Sequence, residues 1–168
     1  LFRSRLSFEK ILKKSYNCNK LKTMQLITIQ DAARQLYLGI NINENDFDSN
    51  NRTFGSILLE AQKFIPDFKF YNQKLLDRNM GKYHITVFNA AECGKFPALL
   101  QTAGYKLKNE SITFKGIGSL QQDNMITWFV VVDSAVLNSA RLDAAISEKD
   151  FHITIAFTDK DLFKGRKN

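Results

Sequence analysis

Two histidines occur in this chain, and both sit in the same local pattern. Tyr83-His84-Ile85-Thr86-Val87 reads aromatic-His-Ile-Thr-aliphatic, and so does Phe151-His152-Ile153-Thr154-Ile155. Imidazole is the side chain whose ordinary titration falls near neutral pH. Two copies, each followed two positions on by a hydroxyl, suit a paired general acid and base with hydrogen-bonding partners for a phosphate. One His-x-Thr on its own is usually a half-buried imidazole with a satisfied hydrogen bond. Two copies with matching flanks, and no other histidine in the chain, favour chemistry instead.

Both segments are rich in β-branched and aromatic residues, so both are predicted to be strands. Side chains on a strand alternate faces. His84 and Thr86 then share one face, as do His152 and Thr154. Tyr83, Ile85 and Val87, and likewise Phe151, Ile153 and Ile155, form an apolar opposite face suited to a core. Tyr83 and Phe151 are accordingly expected to be structural. Packing of that face fixes the rotamers of the other, which makes a strand a good mount for reacting groups.

With these motifs the chain resembles the 2H phosphoesterase superfamily. The stretch Lys149-Asp150-Phe151-His152-Ile153-Thr154-Ile155-Ala156-Phe157, then Lys160-Asp161-Leu162, is similar to its Swiss-army-knife branch, which is related to the cyclic phosphodiesterase domain of fungal transfer-RNA ligases. Phe114-Lys115-Gly116-Ile117-Gly118 and Thr127-Trp128-Phe129-Val130-Val131-Val132 also look like it. The resemblance runs from about Tyr83 to the C-terminus and is poor before about Ala33. It implies an α+β, bilobal fold in which two antiparallel sheets form a central cleft with helices on the outside. It also implies activity on 2′,3′-cyclic phosphates or other RNA-linked phosphodiesters, with no metal and no cofactor.

Composition is compatible with this. The 168 residues suffice for one domain or two half-domains around one core. A 44% hydrophobic content and 14 Phe supply core material. Lys and Arg outnumber Asp and Glu by 24 to 17, and the net charge of +7 favours an anionic partner, RNA ahead of a membrane. Cys18 and Cys93 give neither a disulfide framework nor metal-ligand spacing. A reducing, cytoplasmic location is the expectation. No apolar run is long enough to span a bilayer or to serve as a signal-peptide core. The chain starts at Leu1 rather than Met, so removal of a leader stays open.

The expected organisation is a basic, helical N-terminal extension over residues 1–32 and a 2H phosphoesterase-like domain over 33–168. Arg34–Asn41 is predicted as a strand and Asn43–Asn51 as an exposed polar loop. Phe54, Ile57, Leu58, Ala61 and Phe64 have helical spacing, which Pro66 ends. A second helix is predicted over Phe96–Ala103, closed by Gly104. Ser111–Lys115 and Ile126–Asp133 are predicted strands, and Ala135–Ile146 a helix capped by Asp133 or Ser134.

Opening a cyclic phosphodiester needs a proton acceptor for the attacking water and a proton donor for the departing ribose oxygen. Two histidines can hold opposite states when their surroundings push their pKa values apart. His84 is assigned as acid and His152 as base, with Thr86 and Thr154 binding the phosphate oxygens. Lys115 is a candidate lining residue, and Phe88, two positions after Thr86, a candidate for stacking a base. Trp128 is expected in the core. The expected partner is RNA or a cyclic nucleotide. The rival readings are a non-catalytic module that binds RNA ends or nucleotides, and an accessory domain of a larger RNA-repair protein.

Overall fold

The alternation of buried and half-buried residues in the two motif strands sets the architecture. The structure, a computed structural model, describes residues 23–31, 34–108 and 111–162. Its strands are β1 (Thr23–Gln30), β2 (Leu36–Ile42), β3 (Tyr83–Phe88), β4 (Lys106–Lys108), β5 (Thr113–Gln122), β6 (Met125–Asp133) and β7 (Phe151–Phe157). Its α-helices are α1 (Phe54–Phe64), α2 (Phe68–Arg78), α3 (Ala90–Lys95) and α4 (Ala135–Asp143), and Pro97–Thr102 forms a 3₁₀ helix. The strands build two antiparallel sheets, ordered β3-β2-β1-β4 and β5-β6-β7. This is the expected α+β architecture of two antiparallel sheets, and the motif strands β3 and β7 are edge strands that lie against each other.

One core serves both sheets. Leu38, Ile40 and Ile42 of β2, Ile85 of β3, Val130 and Val132 of β6, and Ile153 and Ile155 of β7 are all buried in it. Phe54 of α1 joins the halves, with its ring 5.0 Å from Tyr83 and 5.7 Å from Phe114. Tyr83 and Phe151 are buried, as a structural role requires, and Trp128 packs half-buried against the core, stacked on Tyr71. α1 has the predicted bounds. Thr53 caps it by accepting from the Ser56 N–H, and Phe54, Ile57, Leu58 and Ala61 face inward. Ser134 caps α4 by accepting from the Leu137 N–H.

Several elements differ from the sequence reading. Thr23–Gln30, placed there in a helical extension, is a strand that pairs with both β2 and β4. It reads TMQLITIQ, and Met24 and Leu26 bury their side chains with a period of two. The folded unit therefore begins upstream of residue 33; residues 1–22 of the predicted extension lie outside the described residues. Phe68–Arg78 forms a helix that weak apolar periodicity hid: only Phe68 and Leu75 are buried. The segment Phe96–Ala103, predicted as a helix, is instead a 3₁₀ helix that Pro97 opens, and a short α3 with an Asn89/Glu92 capping box precedes it.

The polar loop after β2 is not uniformly exposed, because Asp46 and Asp48 are buried. Asp48 accepts from the backbone N–H groups of Asn50, Arg52 and Phe114. Burial would raise its carboxyl, but these donors and the Arg52 charge outweigh burial and hold it below the usual carboxylate range. The bond to Phe114 ties this loop to the second sheet.

Candidate active site

His84 and Thr86 are half-buried while Tyr83, Ile85 and Val87 are buried. His152 and Thr154 repeat this among Phe151, Ile153 and Ile155. Each motif strand thus turns its imidazole and hydroxyl away from the core, as a period of two requires. The repetition extends to the backbone. On β3, Thr86 pairs with Gly39 and Phe88 with the adjacent Leu38, so Val87 is an extra residue. On β7, Thr154 pairs with Phe129 and Ala156 with the adjacent Trp128, so Ile155 is extra. Both strands carry a one-residue bulge immediately after the threonine.

The bulge corrects the expectation for Phe88. Simple alternation would put it beside Thr86. The extra residue switches its face instead, and Phe88 is buried in the core opposite Leu38, beneath the Arg141 guanidinium. It cannot stack a base there. Ala156, its counterpart on β7, is likewise buried. Lys115 stands at another irregularity, between Phe114 and Gly116 on the outer strand β5, and is exposed. Among the described residues, no hydrogen bond or ion pair joins it to either motif.

Residues around the histidines complete the site. The Tyr37 hydroxyl lies 3.2 Å from His84 Nε2. Tyr37 comes from β2, two residues before Gly39, on the face that Gly39 shares with Thr86. Burial pushes its phenol up to about 12, against the lowering effect of Arg78, so the hydroxyl keeps its proton. Burial also pushes the His84 imidazole down to about 4; the Arg78 charge adds to this and Asp161 opposes it. Near neutral pH this ring carries no charge.

On the other side, the Thr154 hydroxyl bonds Asp161 Oδ2 at 3.1 Å, and Arg78 Nη2 lies 3.6 Å from the same oxygen. The edge of the Phe129 ring meets His152, with centroids 5.8 Å apart. Gly118 makes that ring position available. A Cβ there would lie 2.7 Å from Phe129. Lys149, three residues before His152, donates from Nζ to the Thr86 carbonyl at 3.0 Å and so joins the two motif segments. Burial and the neighbouring Arg141 charge lower its ammonium to about 8, while Glu92 opposes them.

A buried bracket stabilises the β3 bulge. Arg141 of α4 donates from Nη1 to the Val87 carbonyl at 2.6 Å, binds Glu92 through both Nη atoms, and donates from Nε to the Ser147 carbonyl. Its partners include α3, the segment before β7 and the motif strand β3.

Two half-buried imidazoles on matched, adjoining strands, each with a threonine beside it, are the signature of one enzyme family. Its model, the Swiss Army Knife 2H phosphoesterase domain, matches residues 56–163, well over half of the chain. The chain belongs to this 2H phosphoesterase family. The match starts upstream of the first motif and includes most of α1 and all of α2, beyond the region where the sequence resemblance was evident. No curated protein and no solved structure matches the chain significantly. Membership supports a hydrolase acting on phosphoester bonds. Among the described residues, no group of three or more His, Cys, Asp or Glu side chains is placed to hold a metal ion, and no helix is long and apolar enough to cross a membrane.

Tyr37, Arg78 and Asp161 are the residues that sequence reasoning missed. Asp161 lay within the Lys160-Asp161-Leu162 stretch of the resemblance but carried no role. Tyr37 and Arg78 are 47 and 6 residues from His84, on other elements, so only the fold brings them to it.

Proposed function

We propose that this 2H phosphoesterase opens 2′,3′-cyclic phosphates at RNA ends, or in related cyclic nucleotides, by metal-independent acid–base catalysis. The observation that carries the reading is the matched presentation of His84 and His152 from adjoining strands. Water attacks phosphorus in line, and one proton passes from the water to a neutral imidazole. The P–O bond to one ribose oxygen breaks, and that oxygen takes a proton from the other imidazole. The product is a linear phosphate monoester. Thr86 and Thr154 hydrogen-bond the non-bridging oxygens as charge builds on them, Thr154 by turning its single proton from Asp161 to the phosphate.

The surroundings of His84 favour the roles opposite to those expected from sequence. A ring that titrates near 4 is a proton acceptor at neutral pH, so His84 is the base and His152 the acid. The opposite assignment would require His84 to hold a proton where burial and Arg78 disfavour it. The net charge of +7 suits an RNA or nucleotide substrate.

The test is turnover of an oligonucleotide ending in a 2′,3′-cyclic phosphate by EDTA-treated protein. His84→Ala and His152→Ala are each expected to lower kcat by about 10³-fold. Turnover unchanged in either variant contradicts the mechanism. Tight binding without product would favour the non-catalytic binding module.

A further inference from the structure

We propose that Arg78 is a phosphate-binding cation of this site and that Asp161 is the positioning residue that holds it beside Thr154. The inference rests on the phosphodiesterase reading above and adds a residue to it. Arg78 is the last residue of α2, and that helix is pinned to the second motif strand. Asn72 donates to the Ile155 carbonyl at 2.6 Å, and Lys74 Nζ donates to the Thr158 carbonyl. The guanidinium lies on the Phe157 ring, 4.7 Å from its centroid. Phe157 pairs with Thr127, two residues before the Phe129 that pairs with Thr154, so both aromatic rings belong to the Thr154 side of the sheet.

The contact with Asp161 is loose. At 3.6 Å it exceeds the roughly 2.7–2.9 Å of a strong charge-assisted hydrogen bond. The Arg78 side chain is 35% exposed, against 5% for Asp161. Nε donates to Asn79 Oδ1 at 3.0 Å, and the rest of the guanidinium fork takes no hydrogen bond among the described residues. A planar cation with unused donors is therefore held at the edge of the site, where its fork suits a bidentate grip on phosphate.

Its location links both motifs. One oxygen of Asp161 receives the Thr154 hydroxyl and faces Arg78. The Arg78 charge also acts on His84 and Tyr37 in the other half. Hydroxyls polarise a phosphate only weakly, and the base is uncharged. A guanidinium supplies the positive charge that developing negative charge on phosphorus requires. Among the described residues, the charged and polar groups that face His84 include Tyr37 and its cross-strand partner Asn41 from β2, Arg78 from α2, and Asp161 after β7. Removing Arg78 relieves His84 of a repulsion, which shifts its titration upward.

The experiment compares full-length wild type, Arg78→Lys, Arg78→Ala and Asp161→Asn on the cyclic-phosphate-ended oligonucleotide, with kcat and KM measured across pH. Arg78→Ala is expected to lower kcat/KM by about 100-fold, mostly in kcat, and to move the acidic limb of the profile to higher pH. Arg78→Lys keeps the charge but loses the fork, so it recovers part of the rate and leaves the limb near its wild-type position. Asp161→Asn should lower the rate less than Arg78→Ala does. A kcat/KM for Arg78→Ala within threefold of wild type, with an unmoved limb, overturns the proposal even where both histidine variants are dead.

If Arg78→Ala does not fold, Arg78→Gln takes its place with the same two outcomes. If wild type itself shows no turnover, the phosphodiesterase reading fails. Arg78 is then judged by inorganic phosphate binding, where a tenfold weaker affinity in the variant supports its role and an unchanged affinity overturns it.

Discussion

The two motif strands have the same local design and different neighbours. On β3 and β7 alike, an aromatic residue goes into the core, imidazole and hydroxyl go out, and a bulge after the threonine returns the chain to the core. Around His84 the fold adds a protonated phenol and a nearby guanidinium. Around the His152–Thr154 pair it adds the Phe129 ring and a carboxylate that takes the threonine hydroxyl. A duplicated motif therefore fixes where its groups point, and residues from other elements decide what each copy does. On the proposed mechanism, two identical imidazoles act as a base and an acid only because their neighbours differ.

Exchanging or deleting parts of one copy should affect function in proportion to how much of this asymmetry it removes. After the histidines themselves, the threonines carry the largest expected effect. Thr86→Val and Thr154→Val should each lower kcat by about 10²-fold, with KM changed less. Thr154→Val should have the greater effect, because it also releases Asp161, the partner of Arg78. Equal losses in steady-state kinetics would show that the Asp161 contact adds nothing.

One glycine in each sheet separates the halves structurally. At Gly39, opposite Thr86, an added Cβ would lie 2.7 Å from the Ile85 carbonyl oxygen, which is backbone and cannot swing aside. At Gly118 it would meet only the Phe129 ring, which can tilt at the expense of its contact with His152. Gly39→Ala should cost roughly 2–3 kcal/mol and Gly118→Ala roughly 1 kcal/mol in denaturant unfolding. Gly118→Ala should nonetheless lower kcat, because it disturbs the ring beside the acid. A stability loss without a rate loss would deny Phe129 that role.

A further effect is in pH-dependent stability. His84 titrates at about 4 in the folded chain and at 6.5 when unperturbed. The unfolded chain therefore binds more protons between those values, and stability falls as pH drops from 6.5 to 4. His84→Gln should flatten the melting-temperature profile over that window relative to wild type. A profile of the same slope would mean that the ring is not held neutral.

Much of the site was legible in sequence because its signal is local. Period-two alternation placed both imidazoles and hydroxyls, and helical spacing ended by Pro66 gave α1 its bounds. Residues whose placement depends on pairing were not legible. Phe88 obeys alternation until a bulge, which exists only through the register with Leu38 and Gly39, reverses it. Arg78 lies on a helix with just two buried residues, and its relation to Asp161 spans more than eighty positions. Strand β1 escaped notice because the apolar residues Met24, Leu26, Ile27 and Ile29 break simple alternation.

The most direct measurement is an NMR pH titration of the two imidazole side chains, with His84→Gln used to assign them. The His84 ring should stay neutral until the pH approaches 4, and Arg78→Ala should raise that midpoint. A His84 ring already protonated between pH 6 and 7 would contradict its assignment as the base and the asymmetry on which the mechanism depends.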